Sequence, residues 1–292
     1  MMEGRDAPAR AGATLLSRIL EMRDFAPRLV SALVLAGAAL GALWRGGDFF
    51  VVFWLVAALA VQWEWQTLIH APRLAVRLVM GFAITTALAF AARHRAFDVA
   101  GYALISGVFA MAWLAGPGKR AWGAFGIVYA GALVMSVVAL RLSLNGFEAI
   151  IWLFAVVWGT DVGAYFGGRL IGGPKLWPRV SPSKTWSGFL IGVTTGAVAG
   201  LVALRMVGGL APGSMLGVVA MGYACAVISQ GGDLFESGIK RHFRAKDSGS
   251  LIPGHGGFMD RLDGFIAAAV FAAVVGVTRV GPLEVAIGVL RW

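Results

Sequence analysis

A chain of 292 residues that is 59% hydrophobic and only 14% charged, with a mean hydropathy of +0.78, lies far from the roughly 45–50% apolar usage of soluble domains. A disulfide scaffold is excluded too, because Cys225 is the single cysteine and falls inside an apolar run. The net charge of +10 does not argue for nucleic acid: the basic residues sit in short segments between apolar runs, where orientation against an anionic leaflet accounts for them.

In chain order, the N-terminal segment 1–28 contains Glu3 and Asp6 and no early apolar core or cleavage site, so it does not read as a signal peptide. Leu15, Leu16, Ile19, Leu20 and Phe25 are interleaved there with arginines. That pattern suits a helix lying on the membrane surface as well as it suits a loosely ordered basic tail. Nine apolar stretches follow, at 29–44, 49–63, 78–92, 99–114, 122–140, 149–166, 188–204, 216–228 and 265–277. Several fall short of the roughly 20 residues a span needs, so flanking residues must contribute. Lipid allows only helices or closed barrels, and barrel-type alternation is absent. The predicted class is therefore all-α, a polytopic integral membrane helical bundle of about nine transmembrane helices. It divides into the basic segment 1–28, transmembrane helices over 29–148 and a C-terminal transmembrane catalytic region over 149–292.

An odd number of spans places the termini on opposite sides. With the N-terminus in the cytoplasm, most of the 25 Lys and Arg fall inside, among them Arg73, Arg77, Lys119, Arg169, Lys184 and Lys240. Trp44, Trp63, Trp65, Trp113, Trp122 and Trp186 lie near span ends and are expected as interface anchors. Gly188, Gly192, Gly196 and Gly200 make a small-xxx-small ridge for close helix packing. Whether the partner lies in this chain or in the second copy of a homodimer is left open by the sequence.

Polarity concentrates in residues 231–263. If 231–244 is helical, Asp233, Glu236, Ser237, Lys240 and Arg244 form one stripe, with Leu234, Phe235 and Ile239 off it. The plain alternative is a solvated face with ordinary ion pairs. A stripe that leaves an apolar span and mixes acceptors with phosphate-binding cations favours a site. Asp260 and Asp263 precede the last long apolar run. One carboxylate there suits the helix dipole, worth roughly 0.3–1 kcal/mol, whereas two beside Arg261 suggest hard oxygen ligands. Asp233 with Asp260 and Asp263 is accordingly expected to hold Mg²⁺ alongside substrate phosphates, with room for a second cation. Pro253-Gly254-His255-Gly256-Gly257 must be a turn. Gly256 and Gly257 let backbone amides approach phosphate oxygens, and Lys240, Arg241, Lys246 and Arg261 supply countercharge. His255 reads as a proton-transfer group, a phosphate donor or a structural holder of the turn.

Upstream, Asp161 falls near the end of an apolar run. An aspartate costs about 2.5–3.5 kcal/mol at a span centre and less near an end, so it should face a polar cavity. Ser181-Pro182-Ser183-Lys184-Thr185, hydroxyls around a lysine ahead of the next helix, suits anion binding. Helix capping is the alternative there. Gly168 and Gly173 have P-loop spacing, but Pro174 occupies the lysine position.

These residues together resemble the phosphatidate cytidylyltransferases, or CDP-diacylglycerol synthases. The family's C-terminal motif matches Ser237, Lys240-Arg241, Lys246-Asp247, His255-Gly256-Gly257 and Asp260-Arg261-Leu262-Asp263 with spacing intact. Asp161 with Gly163-Ala164-Tyr165, and the segment 181–185, look like its upstream motifs. The N-terminal half resembles it only as apolar spans with Trp63-Glu64-Trp65. Phe258 stands where an aliphatic residue is usual and Ser187 where a glutamate is usual. The resemblance implies reaction of CTP with phosphatidic acid to give CDP-diacylglycerol and pyrophosphate, on the cytoplasmic face of a bacterial inner membrane. It implies catalytic roles for Asp233, Lys240, Arg241, Lys246, Asp247, His255, Asp260, Arg261 and Asp263, and substrate contacts for Asp161, Ser181, Lys184, Thr185, Glu236, Ser237, Gly256 and Gly257. Another CTP-dependent membrane lipid enzyme, such as a polyprenol kinase, fits the same polar motifs. A transporter fits less well, because polarity is confined to one half and one face.

Overall fold

The computed structural model describes residues 30–249, 251 and 256–292. The basic segment 1–28 and His255, with the readings attached to them, lie outside the described residues. Among the described residues nine apolar helices stand where the nine stretches do. They are α1 (Val30–Arg45), α2 (Gly47–Leu68), α3 (Leu74–His94), α4 (Phe97–Ala115), α5 (Arg120–Leu142), α6 (Gly146–Leu170), α7 (Trp186–Met206), α8 (Met215–His242) and α9 (Met259–Val280). A short α10 (Val285–Leu290) follows, and an antiparallel hairpin of β1 (Lys175–Trp177) and β2 (Ser181–Thr185) sits between α6 and α7. Eight of the helices, α2 to α9, are long and apolar enough to cross a membrane. The protein is a polytopic helical membrane protein. Each of these eight runs past its apolar stretch at both ends, because a span has no water to satisfy its backbone and recruits neighbouring turns to reach full length.

Helix α5 is the hub, packed against α2, α3, α4, α6, α9 and α10. Helix α4 is peripheral and turns Tyr102, Phe109 and Trp113 outward. The ring of Trp54 on α2 stacks on Phe265 of α9 at 4.9 Å and on Phe154 of α6 at 6.2 Å, tying three helices together in mid-bundle.

The glycine ridge on α7 finds its partner within the chain. A β-carbon at Gly188 would lie 2.8 Å from the Ala164 carbonyl, one at Gly192 2.7 Å from the Thr160 carbonyl and one at Gly196 2.6 Å from the Val156 carbonyl. Helix α6 answers with Gly159, Gly163 and Gly167 against Ala199, Thr195 and Ile191 of α7. Two backbones thus meet without side chains between them, and the ridge is spent inside the monomer. Gly196→Ala should therefore destabilise by about 1–3 kcal/mol through overpacking. Gly101→Ala on α4, where a β-carbon meets nothing within 4 Å, should be neutral or stabilising by up to about 1 kcal/mol from helix propensity. Thermal unfolding of both variants in detergent tests the difference, and equal midpoints would remove the ridge from the account.

Several sequence expectations are corrected here. Arg77 does not serve the interface: it is fully buried, donating to the carbonyls of Pro72 (2.8 Å), Ala71 (2.7 Å) and Gln66 (3.1 Å), and to Gln66 Oε1. It staples the α2–α3 turn, whose freed carbonyls would otherwise be unsatisfied. Trp65 is no anchor either; it is fully buried against Phe125 and Tyr129, with Nε1–H donating to the Trp122 carbonyl at 2.8 Å. Trp44, Trp63, Trp113 and Trp186 are exposed, as anchors must be. The polar stripe on α8 ends at Lys240. Arg244 lies beyond the helix in a left-handed conformation (φ 57°), where its amide bonds the Arg241 carbonyl and that of Ala245 bonds Lys240. This is a Schellman closure at a position that glycine usually takes.

Candidate active site

At 1.5 Å per residue, the 28 residues of α8 extend about 42 Å, against a hydrocarbon core of about 30 Å. The helix is long enough to span and still carry Asp233 to Lys240 beyond its most apolar part. Beside those turns lies a cavity of about 710 Å³. Helix α6 lines it with Asp161, Tyr165 and Arg169, and the hairpin and start of α7 with Ser183, Lys184 and Thr185. Gln230 and Asp233 come from α8, and Asp260, Arg261 and Asp263 from α9.

Each side chain is placed by a local device. The hairpin pairs Lys175 with Thr185 and Trp177 with Ser181, and this throws Lys184 across to α8. There its Nζ lies 2.6 Å from Asp233 Oδ2 and donates to Gln230 Oε1 at 3.0 Å. Thr185 caps α7, its hydroxyl accepting the Gly188 amide at 3.1 Å. Ser187, at the position where a glutamate is usual, donates its hydroxyl to the Gly172 carbonyl and hydrogen-bonds Thr185 Oγ1 at 3.0 Å. It thus ties the left-handed turn at Gly172 (φ 66°) to the start of α7.

Behind the cavity, Lys240 Nζ lies 2.7 Å from Glu236 Oε2 and 2.5 Å from Asp260 Oδ1. One lysine holds two nearly buried carboxylates together. The other oxygen of Asp260 accepts the Ser248 amide (3.0 Å), the Ser248 hydroxyl (2.9 Å) and the Gly257 amide (2.9 Å). Asp263 accepts its neighbour's amide, that of Gly264, at 2.7 Å. Glu64, from the distant α2, is fully buried and accepts the amides of Phe258 and Met259, both at 2.7 Å, and the Ser248 hydroxyl at 3.1 Å.

The structure therefore brings Asp161, Lys184, Thr185, Asp233, Asp260, Arg261 and Asp263 onto one cavity. Glu236 and Lys240 stand behind it. Ser181 lies on β2 and Ser237 on α8 outside the lining, while Arg241, Lys246 and Asp247 are exposed. Gly256 adopts φ 82° against the Asp260 carboxylate. A β-carbon at Gly257 would strike Ser248 Oγ and lie 2.7 Å from Glu64 Oε2. These two glycines thus admit protein carboxylates at close range. Sequence reasoning passed over Gln230, Tyr165 and Arg169 as site residues, and above all Glu64. The one signal for Glu64 was a carboxylate set between two tryptophans in an apolar span.

The lining holds four carboxylates and three cations. Among the described residues no three His, Cys, Asp or Glu side chains converge closely enough to hold an ion alone. A donor set of a few hard oxygens that needs further ligands is the one that fits Mg²⁺, which takes one or two carboxylates plus substrate phosphates and waters.

A second cavity of about 270 Å³ shares Asp161, Arg261 and Asp263 with the first and runs between α1, α2, α6 and α9. Apart from those three its lining is apolar, with Ala36 and Ala39 on α1, Trp54 on α2, Trp158 on α6 and Phe265 on α9.

The sequence model of the cytidylyltransferase family matches residues 26–278. The chain is 40% identical over 261 residues to the phosphatidate cytidylyltransferase of Brucella suis biovar 1 (strain 1330), covering 87% of this chain and 94% of the relative. The protein of that name from Brucella melitensis biotype 1 is similar to the same extent. That from Staphylococcus haemolyticus (strain JCSC1435) is 43% identical over 140 residues, 48% of this chain and 52% of the relative.

Proposed function

Because this chain belongs to the cytidylyltransferase family, we propose that its two substrates, a nucleotide and a lipid, meet where the polar and apolar cavities join. The protein transfers the cytidylyl group of CTP to phosphatidic acid, giving CDP-diacylglycerol and pyrophosphate. An oxygen of the lipid phosphate bonds to the α-phosphorus of CTP while the bond to the β-phosphate oxygen breaks, and pyrophosphate leaves. The attacking phosphate is already ionised near neutral pH, so the site needs no strong base. Positioning and charge supply most of the catalysis in transfers of this type.

The single observation that carries the assignment of parts is the shared wall of Asp161, Arg261 and Asp263. Arg261 would take the lipid phosphate at that wall while the first methylenes of the acyl chains lie in the apolar cavity. Lys184, Arg169 and the capped start of α7 would take the triphosphate, with the helix dipole favouring anions there. Asp233 holds Lys184 ready through their 2.6 Å pair. Mg²⁺ would be held by carboxylates drawn from Asp233, Asp260 and Asp263, no more than two at once, completed by substrate phosphate oxygens, and would neutralise charge on the transferred group. Asp161 faces both cavities and keeps the junction polar. We take the membrane to be a bacterial inner membrane, and the basic segments between spans support an orientation with this face in the cytoplasm.

Filling the apolar cavity tests the assignment. Ala36→Phe should raise KM for a long-chain phosphatidate by about tenfold, equivalent to about 1.4 kcal/mol, and leave KM for CTP unchanged. Unchanged KM for the long-chain lipid would move the acyl chains elsewhere.

A further inference from the structure

Glu64 lies on α2, in the half of the chain that contributes nothing to the lining of the polar cavity, and the reaction as described gives it no task. Yet it is 1% exposed, and a buried carboxylate is costly unless it is fully bonded. Among the described residues no salt bridge joins it to a cation. Its stabilisation comes instead from the amides of Phe258 and Met259 and from the Ser248 hydroxyl, whose one proton it shares with Asp260. The two amides are at the very start of α9, where unpaired N–H groups and the positive end of the dipole favour an anion. Phe258, at the N-cap position, offers no side-chain cap of its own, so the cap is supplied from another helix. Ser248 couples the two carboxylates, because its single hydroxyl proton is shared between Glu64 Oε2 (3.1 Å) and Asp260 Oδ2 (2.9 Å).

Two glycines fit this arrangement. A β-carbon at Gly249 would lie 2.7 Å from Glu64 Oε1, and one at Gly257 2.7 Å from Glu64 Oε2. The segment on both sides is bare so that the carboxylate can reach in.

We propose that Glu64 is a positioning residue for the cytidylyl transfer: from α2 it clamps Ser248 and the first amides of α9, and so fixes the direction in which Asp260 and Asp263 face the cavity. The inference rests on the reading that those two aspartates stand at the reacting centre. A glutamine cannot replace the carboxylate, since in either orientation its NH₂ group faces a donor amide. Glu64→Asp keeps the charge and the two acceptors but draws them back by one methylene.

The test uses purified full-length protein with CTP, phosphatidic acid and Mg²⁺. Glu64→Gln is expected to lower kcat by about 10–100-fold, the range seen when outer partners of a metal or catalytic carboxylate are removed, with KM for CTP within about threefold. Tryptic cleavage after Lys246 should quicken in the same variant as the segment loosens, and Glu64→Asp should recover part of both. Wild-type kcat and cleavage rate in Glu64→Gln would overturn the proposal, as would a loss of kcat that follows only the loss of folded protein on gel filtration. If Glu64→Gln does not yield folded protein, Ser248→Ala decides. It removes the hydroxyl that joins Glu64 to Asp260 while leaving the Ser248 amide on Asp260 and both α9 amides on Glu64; it is expected to cost about tenfold in kcat, and an unchanged kcat would overturn the proposal. Asp260→Asn separates the two readings: full activity there removes the aspartate from the reacting centre, whereas an inactive Asp260→Asn beside a fully active Glu64→Gln removes only the clamp.

Discussion

Asp233→Asn is expected to lower CDP-diacylglycerol formation by at least about 100-fold, the loss typical when a preorganised charge at a reacting centre is removed, with almost no change in thermal stability. The two effects separate because of where Asp233 stands. Its side chain is 37% exposed, and its partner Lys184, 16% exposed, keeps Gln230 Oε1 at 3.0 Å when the carboxylate is lost. Such a pair is worth roughly 0–1 kcal/mol after solvent screening, too little to move the unfolding midpoint far. The rate depends instead on charge at the transferred phosphate. Asp260→Asn should be equally inactive, but its carboxylate also organises Lys240, Ser248 and Gly257, so some stability should go with it. Pyrophosphate release followed across a Mg²⁺ titration, with melting curves in the same detergent, reads both quantities. Near-normal rates in both variants at limiting Mg²⁺ would refute the assignment of these aspartates to the ion.

Lys240→Met should be the most destabilising single change in the site. Its side chain is only 15% exposed, and the ammonium stands between the side chains of Glu236 at 1% and Asp260 at 10%. Without it, two carboxylates face each other in a nearly dry pocket. Removing one partner from a buried ion cluster costs about 3–5 kcal/mol, because the remaining charge is left uncompensated. The compensating experiment follows from the geometry. Adding Glu236→Gln to Lys240→Met removes one of the opposed charges and should restore a large part of the lost stability, though not the activity. Measured as a double-mutant cycle, the two substitutions should be strongly non-additive. Additive losses would mean that Lys240 and Glu236 do not share one cluster.

Much of this was legible in the residues because lipid narrows the choices. Nine apolar stretches became nine helices, since a backbone without water has to bond to itself. The block 231–263 proved to hold the helical stripe and the paired aspartates for the same reason that made it conspicuous, charge being too costly in such a chain to occur idly. What sequence did not reveal were relations across distance. Arg77 read as an orienting charge because its acceptors, the carbonyls of the α2–α3 turn, exist only once the turn has formed. Trp65 read as an interface anchor because burial by Phe125 and Tyr129 depends on the packing of α5. Arg244 read as part of the stripe because a left-handed helix end built without glycine leaves little local trace. The hairpin was hidden in a loop whose strands are only three and five residues long. Ser187, a departure from the family pattern, had no local meaning until Gly172 was seen beside it.

The bond from Glu64 to Met259 joins positions 195 residues apart, and this separation has a consequence for how the protein is made. Chains are synthesised from the N-terminus and their segments assemble in that order. Helix α2 therefore enters the bilayer with its carboxylate long before the amides that bond it have left the ribosome. For that interval the nascent protein holds an expensive ionisable group that must stay hydrated near the membrane edge or be shielded by the insertion machinery. Only when the last long helix is threaded does the cost disappear. Completion of the catalytic end is thereby also the event that gives the carboxylate of the first half its hydrogen-bond donors.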